Sequence, residues 1–135
     1  MRIARSMLDE IVAQARAEAP NECCGIVGSR DGEAVQLFPA RNARASPLAY
    51  DIHGADLQRI YDELDERGLD VGIIYHSHTR SDPLPSQTDI NLASPFFPDV
   101  VYVIVGVKDP ERDDVRAWHI RDKQVSEASL EVEEG

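Results

Sequence analysis

Two histidines one residue apart at the end of an apolar run, His76-Ser77-His78, followed by Ser86 and Asp89, constrain this 135-residue chain more than any other feature. The run before them, Val71-Gly72-Ile73-Ile74-Tyr75, is short, β-branched and preceded by Gly68, so it reads as a buried strand. Side chains at i and i+2 of a strand share a face, and both imidazoles can therefore meet one metal ion from a rigid element. Asp89 lies just before another apolar stretch, where a carboxylate is favoured at a helix N-terminus and can return to that face. Two neutral imidazoles and one carboxylate form a three-ligand set that leaves a coordination position open for water, as in catalytic zinc. That combination predicts a hydrolase with one zinc ion per chain and a bound water.

The rest of the pattern limits the architecture around that strand. Apolar residues at Met7, Leu8, Ile11, Val12 and Ala15 predict a helix over 6–19, with Ser6 as N-cap and Pro20 as terminator. Cys23 to Ser29 and Ala34 to Phe38 read as strands of a hairpin turning at Arg30-Asp31-Gly32. Leu57, Ile60, Tyr61 and Leu64 predict a second helix over 54–67, ended by Gly68. After the histidine strand come a polar loop, a short helix over 89–93 and strands at 100–107, 115–120 and 124–126. One domain over 1–126 is expected, with 127–135 as an acidic tail that is frayed or loosely docked. The order of elements indicates an α/β fold of the α+β type, a mixed sheet flanked by helices. An amidohydrolase barrel needs about 250 residues, and a cupin-type jelly roll has too few helices.

The formal charge of −11 argues against nucleic acid, because phosphate binding needs clustered Lys and Arg. No apolar run is long enough to span a bilayer, and the first residues lack the pattern of a signal peptide. Cys23 and Cys24 are adjacent and form no disulfide framework, which agrees with a reducing compartment, and a cytoplasmic setting is the expectation.

Zinc acidifies a bound water and polarises a carbonyl, yet a further group must take the proton and pass it to the leaving amine. Glu22, at the entry to the first hairpin strand, is the best candidate, although periodicity does not single it out among 25 acidic residues. His53 reads as a loop or cap residue, His119 as sheet surface and Asp82 as a solvent-exposed decoy. The two cysteines read as small buried apolar residues. A Cys–His hydrolase using Cys24 and His76 stays open, but would leave the Ser and Asp spacing unexplained.

The series Glu22, His76-Ser77-His78, Ser86, Asp89 resembles the JAMM (MPN-plus) metallopeptidases, and the likeness covers nearly the whole chain. The resemblance implies an MPN-like mixed central sheet, with His76, His78 and Asp89 on zinc. It further implies Glu22 as general acid and base, and Ser86 as a donor to the tetrahedral oxyanion. Pro20-Asn21-Glu22-Cys23-Cys24-Gly25, Tyr75-His76-Ser77-His78-Thr79 and Pro85-Ser86-Gln87-Thr88-Asp89 are similar to the compact bacterial branch. For that branch the implied partner is a ubiquitin-like sulfur carrier with a Gly-Gly tail, from which cysteine is released. A general deconjugating isopeptidase and a silent protein-binding scaffold are the alternatives, and a homodimer stays open.

Overall fold

The computed structural model describes residues 1–134. In chain order the elements are β1 (Arg2–Ala4), α1 (Arg5–Glu18), β2 (Cys24–Arg30), β3 (Glu33–Ala40), α2 (Gly54–Arg67) and β4 (Asp70–His78). They continue with α3 (Gln87–Leu92), β5 (Val101–Asp109), β6 (Arg112–Arg121), β7 (Gln124–Glu127) and β8 (Glu131–Glu133). All strands join one mixed sheet in the order β7-β6-β5-β4-β2-β3-β1-β8. The histidine strand β4 is central, antiparallel to β2 and parallel to β5.

Alternation along β4 divides the core. Ile73 and Tyr75 face the side covered by α1, where they join Leu8, Ile11 and Ala15. Ile74 faces the other side, with Ile60 and Leu64 of α2. His76 continues that second face two residues further on, so burial of Ile74 fixes which way the imidazoles point. Hydrophobic burial on both faces holds the strand that carries the site, and a strand bonded on both edges has little freedom to shift register.

Helix α2 matches its sequence reading at both ends, because Gly68 adopts the left-handed conformation (φ 64°) and donates to the Leu64 and Asp65 carbonyls. Helix α1 is capped two residues early: Ala4, not Ser6, is the N-cap and makes no side-chain cap bond, since the helix springs directly from β1. Helix α3 begins at Gln87, with Ser86 as N-cap, and Asp89 sits inside its first turn.

Strands β1 and β8 were not anticipated. Arg2, Ile3 and Ala4 pair in parallel with Glu131, Val132 and Glu133, so the expectation of a loose end from residue 127 is corrected for 131–133, and Glu127 closes β7. Val132 packs with the α1-side core, and Arg2 and Arg5 pair with Glu133 and Glu134 at 3.5 Å and 3.1 Å. Backbone pairing plus one apolar contact outweighs the acidity of the segment. Gly135, the last residue of the expected tail, lies outside the described residues. Among the described residues, no helix is long and apolar enough to cross a membrane.

Candidate active site

The end of β4 and the first turn of α3 bring three ligand-type side chains together. His76 Nε2 lies 3.2 Å from His78 Nε2, and the Asp89 carboxylate reaches both, at 3.1 Å and 2.9 Å. All three residues are buried. Two imidazole nitrogens on one tetrahedral zinc at about 2.05 Å stand about 3.3 Å apart. The observed spacing fits such an ion, and the donor set of two nitrogens and a carboxylate suits it.

The neighbours of each ligand fix its chemical state. His78 Nδ1 lies 2.8 Å from the Asp82 carbonyl, which can only accept, so Nδ1 carries the proton and Nε2 turns a lone pair to the cluster. His76 is held by stacking on Tyr50, with ring centroids 4.3 Å apart and planes 19° from parallel. Burial pushes the His76 pKa down, against the pull of Asp89, and favours the neutral ligand form. For His78 burial acts downward too, but bonds to Asp89 and to the Asp82 carbonyl prevail and raise it. Burial acts to raise Asp89, while the bonds with His76 and His78 hold it ionised, well below the usual carboxylate range.

Ser86 sits at the start of this turn. Its Oγ accepts from Asp89 N at 3.1 Å, and its own N–H donates to Asp89 Oδ2 at 2.9 Å, a reciprocal capping box. The cap uses a lone pair of the hydroxyl and leaves its O–H free to donate elsewhere. Asp89 thus has one oxygen shared between the cap and His78, and the other on His76.

Glu22 is 4% exposed although it precedes β2 by two residues, and its Oε1 meets no hydrogen-bond partner among the described residues. Burial is the main cause that lifts its pKa from 4.5 to about 7; Asp89 adds to the rise and His78 opposes it. The β2–β4 register sets Cys24 opposite His76 and runs on through the Ser77 N to Cys23 carbonyl bond, which brings Glu22 alongside His78. A buried carboxyl with an unsatisfied oxygen costs about 1–3 kcal/mol, and such costs collect at functional sites.

Four residues hold the site in roles that the sequence does not assign to them. Ser77 Oγ accepts from Cys23 N at 2.8 Å, joining the Glu22 segment to β4. Asn42 Nδ2 donates to the Glu22 and Ala49 carbonyls, both at 3.0 Å, while its Oδ1 accepts from Asp51 N. Tyr50 and the Asp82 carbonyl are the other two. Their roles depend on loop conformation, and no short-range spacing announces them; the only hint for Ser77 was its position between the two histidines.

The remaining candidates fall away. Asp82 is exposed and its carboxylate pairs with Lys108 at 2.6 Å. His53 precedes α2, where its Nδ1 meets Arg41, and His119 lies on β6. Cys24 stands opposite His76 in the β2–β4 register, yet both thiols are fully buried and burial pushes each up to about 12. Neither supplies a thiolate near neutral pH.

Residues 4–121 match the family model described as prokaryotic homologs of the JAB domain. The chain is 32% identical over 134 residues to the CysO-cysteine peptidase of Mycobacterium tuberculosis, covering 98% of this chain and 90% of the relative. It is 36% identical over 109 residues to the desampylase of Haloferax volcanii, covering 76% of this chain and 77% of that protein. The solution structure of a protein from Desulfitobacterium hafniense superposes with a TM-score of 0.86 at 26% identity, covering 100% of this chain and 94% of the other. The family model spans the site from Glu22 to Asp89 together with the strands on both sides, and the chain belongs to the JAB-domain peptidases, the JAMM (MPN-plus) family, and is a hydrolase.

Proposed function

We propose that this chain is a zinc peptidase that hydrolyses the amide bond after the C-terminal glycine of a ubiquitin-like sulfur carrier and releases cysteine. The observation that carries the chemistry is the convergence of His76, His78 and Asp89 beside the buried, unpartnered oxygen of Glu22. Zinc, when bound by those three residues, would polarise the scissile carbonyl and acidify a water. Glu22 then accepts the proton of the attacking water and returns it to the leaving nitrogen, and burial, which raises its proton affinity, favours the uptake. The Ser86 hydroxyl, with its proton free, donates to the oxygen that gains charge. Asp89 keeps His76 and His78 aligned, and Tyr50 holds the His76 ring against rotation.

The substrate reading is supported by the mycobacterial relative, whose name states a CysO-cysteine peptidase and whose match covers nearly all of this chain. A tail ending in glycine can approach a crowded metal closely because it has no side chain. The reading includes a cytoplasmic setting, in keeping with two free buried cysteines. The Haloferax desampylase favours a second reading, removal of a protein modifier from protein targets.

One experiment separates the two. Purified zinc-loaded protein is incubated with a carrier–cysteine adduct and with a carrier–protein conjugate, and the products are weighed by mass spectrometry. Free cysteine and intact carrier are expected, with little cleavage of the conjugate. Rapid conjugate cleavage beside an untouched cysteine adduct rejects the sulfur-carrier reading in favour of deconjugation.

A further inference from the structure

A small recess opens beside the metal-ligand cluster, and nothing in the mechanism above uses it. It has a volume of about 130 Å³, and its lining is mostly apolar, with Ile52, Leu57, Ile74 and Leu92 beside the rings of Tyr50, Tyr61 and Tyr102 and the short side chain of Ser94. Its position relative to the cluster is fixed twice. Tyr50 stacks on His76, and Ile74 lies two residues before His76 on the same face of β4, about 7 Å along the strand. Leu92 belongs to the helix that carries Asp89 and is 41% exposed. The Ser94 amide is not free to bind a ligand there, since it donates to the Tyr102 hydroxyl at 2.8 Å. An apolar cavity of about 150 Å³ holds one benzene, so the recess has room for one aliphatic side chain.

We infer that this recess is the subsite for the side chain of the leaving residue, and that it selects a small apolar or thiol side chain. The inference rests on the proposed cleavage after a glycine tail. In that tail the residues before the scissile bond have no side chains to place. The nearest side chain on the substrate therefore belongs to the residue after the bond, whose Cα is about 3.8 Å from that of the terminal glycine. A recess that shares the Tyr50 ring with His76 lies within its reach. Burying a CH₂ group there is favourable, whereas an ammonium would have to leave water for an apolar wall. Asp51, exposed at the rim, is the only carboxylate on the lining and defines the contrary case, a recess that reads a cation.

The test uses a recombinant ubiquitin-like carrier whose tail ends in Gly-Gly-X, with X glycine, cysteine, leucine or lysine. With zinc-loaded wild type, kcat/KM for the cysteine and leucine carriers should exceed that for the glycine carrier at least tenfold, with no gain for lysine. Leu57→Phe, which fills the recess, should cut the leucine-to-glycine ratio at least tenfold. Leu92→Ala, at an exposed position that tolerates truncation, should cut it about threefold. Measurable cleavage of all four at equal rates, a preference for lysine, or a ratio unchanged in both variants overturns the inference. Binding is read separately by methyl NMR of zinc-loaded Glu22→Gln protein. The Leu57 and Leu92 methyls should shift with the leucine carrier and not with the glycine carrier. Those shifts without any cleavage by wild type would reject the proposed hydrolysis and leave the subsite standing. Cleavage with silent methyls would reject the subsite alone.

Discussion

The Ser77 hydroxyl oxygen accepts a 2.8 Å hydrogen bond from Cys23 N, and Ser77 N donates to the Cys23 carbonyl at 3.2 Å. The residue between the two histidines thereby clamps the residue after Glu22, so Glu22 and the histidine strand are positioned as one unit. Ser77 itself points away from the cluster, toward the α1 side.

Ser77→Ala should leave Cys23 N–H buried without its partner, a cost of about 1–3 kcal/mol in stability. Zinc content should stay near one per chain while turnover falls, because Glu22 loses its alignment and the ligands do not. Urea unfolding, metal analysis and kinetics on one preparation check this. A variant with full turnover would show that the clamp is dispensable.

Loss of a ligand and loss of the proton carrier should look different. His78→Ala should lose both zinc and activity, because two ligands hold the ion far less well than three. Glu22→Gln should retain zinc and fold but lose most turnover, since an amide cannot accept the water's proton. Elemental analysis beside the rates distinguishes the cases, and a Glu22→Gln enzyme near wild-type speed would remove Glu22 from its role. Wild type that still hydrolyses substrate after its metal is chelated would remove zinc.

Metal uptake should be coupled to the Glu22 proton. Burial raises this carboxyl to about 7 from 4.5, so between those values the folded chain binds more protons than the unfolded one. Stability of the metal-free protein should accordingly fall as pH rises through that window, and Glu22→Gln should lack the decline. A dication in the cluster favours the carboxylate, so zinc binding at pH 6.5 should release more protons from wild type than from Glu22→Gln. Calorimetry in two buffers of different ionisation enthalpy measures the difference, and identical proton release would refute the coupling.

The loop over Glu22 has its own acid limit. Asp56 Oδ2 accepts from Arg41 N at 2.8 Å and Nε at 3.0 Å, and Oδ1 accepts from Nη2 at 2.9 Å. The guanidinium bond, helped by the backbone one, lowers Asp56 from 3.8 to about 2. A depressed carboxyl stabilises above its unfolded pKa, and that contribution disappears as pH falls from about 4 to about 2. Asp56→Asn should abolish this part of the acid transition and increase hydrogen exchange at Ala43 and His53, whose amides donate to the Asp51 and Arg41 carbonyls. Unchanged exchange would mean the loop is held without the pair.

Ser86→Ala tests two roles at once. Removing the cap should cost about 1 kcal/mol of stability. If the hydroxyl also donates to the developing oxyanion, the transition state should lose about 2.7–4 kcal/mol more. Rates within twofold of wild type, with the stability loss present, would leave Ser86 a helix cap and nothing else.

The helices and central strands were legible in the sequence because their apolar spacing is regular and their ends are punctuated, as Gly68 shows for α2. The metal-ligand cluster was legible for a related reason: i, i+2 geometry on a strand is local. Strands β1 and β8 were not, since three residues such as Glu131-Val132-Glu133 are too few to display alternation and their pairing partner is more than a hundred residues away. Glu22 stood out by resemblance alone, as its burial comes from Asn42, Ala49 and Ser46 folding a loop across it. Long-range backbone contacts of that kind have no periodic trace.

Behind the site, the Tyr75 ring crosses β2 directly over Gly25, so close that a Cβ at position 25 would stand 2.2–2.5 Å from the ring and its hydroxyl. The tyrosine hydroxyl donates to Gln14 of α1, so the ring cannot swing aside without breaking that bond. Position 25 is three residues from Glu22 and position 75 is next to His76, which makes this crossing a hidden pin between the Glu22 segment and the histidine strand. In descendants of this sequence a larger residue at 25 therefore requires a smaller one at 75, and a lineage that enlarged position 25 alone would force the Tyr75 ring or β2 to shift.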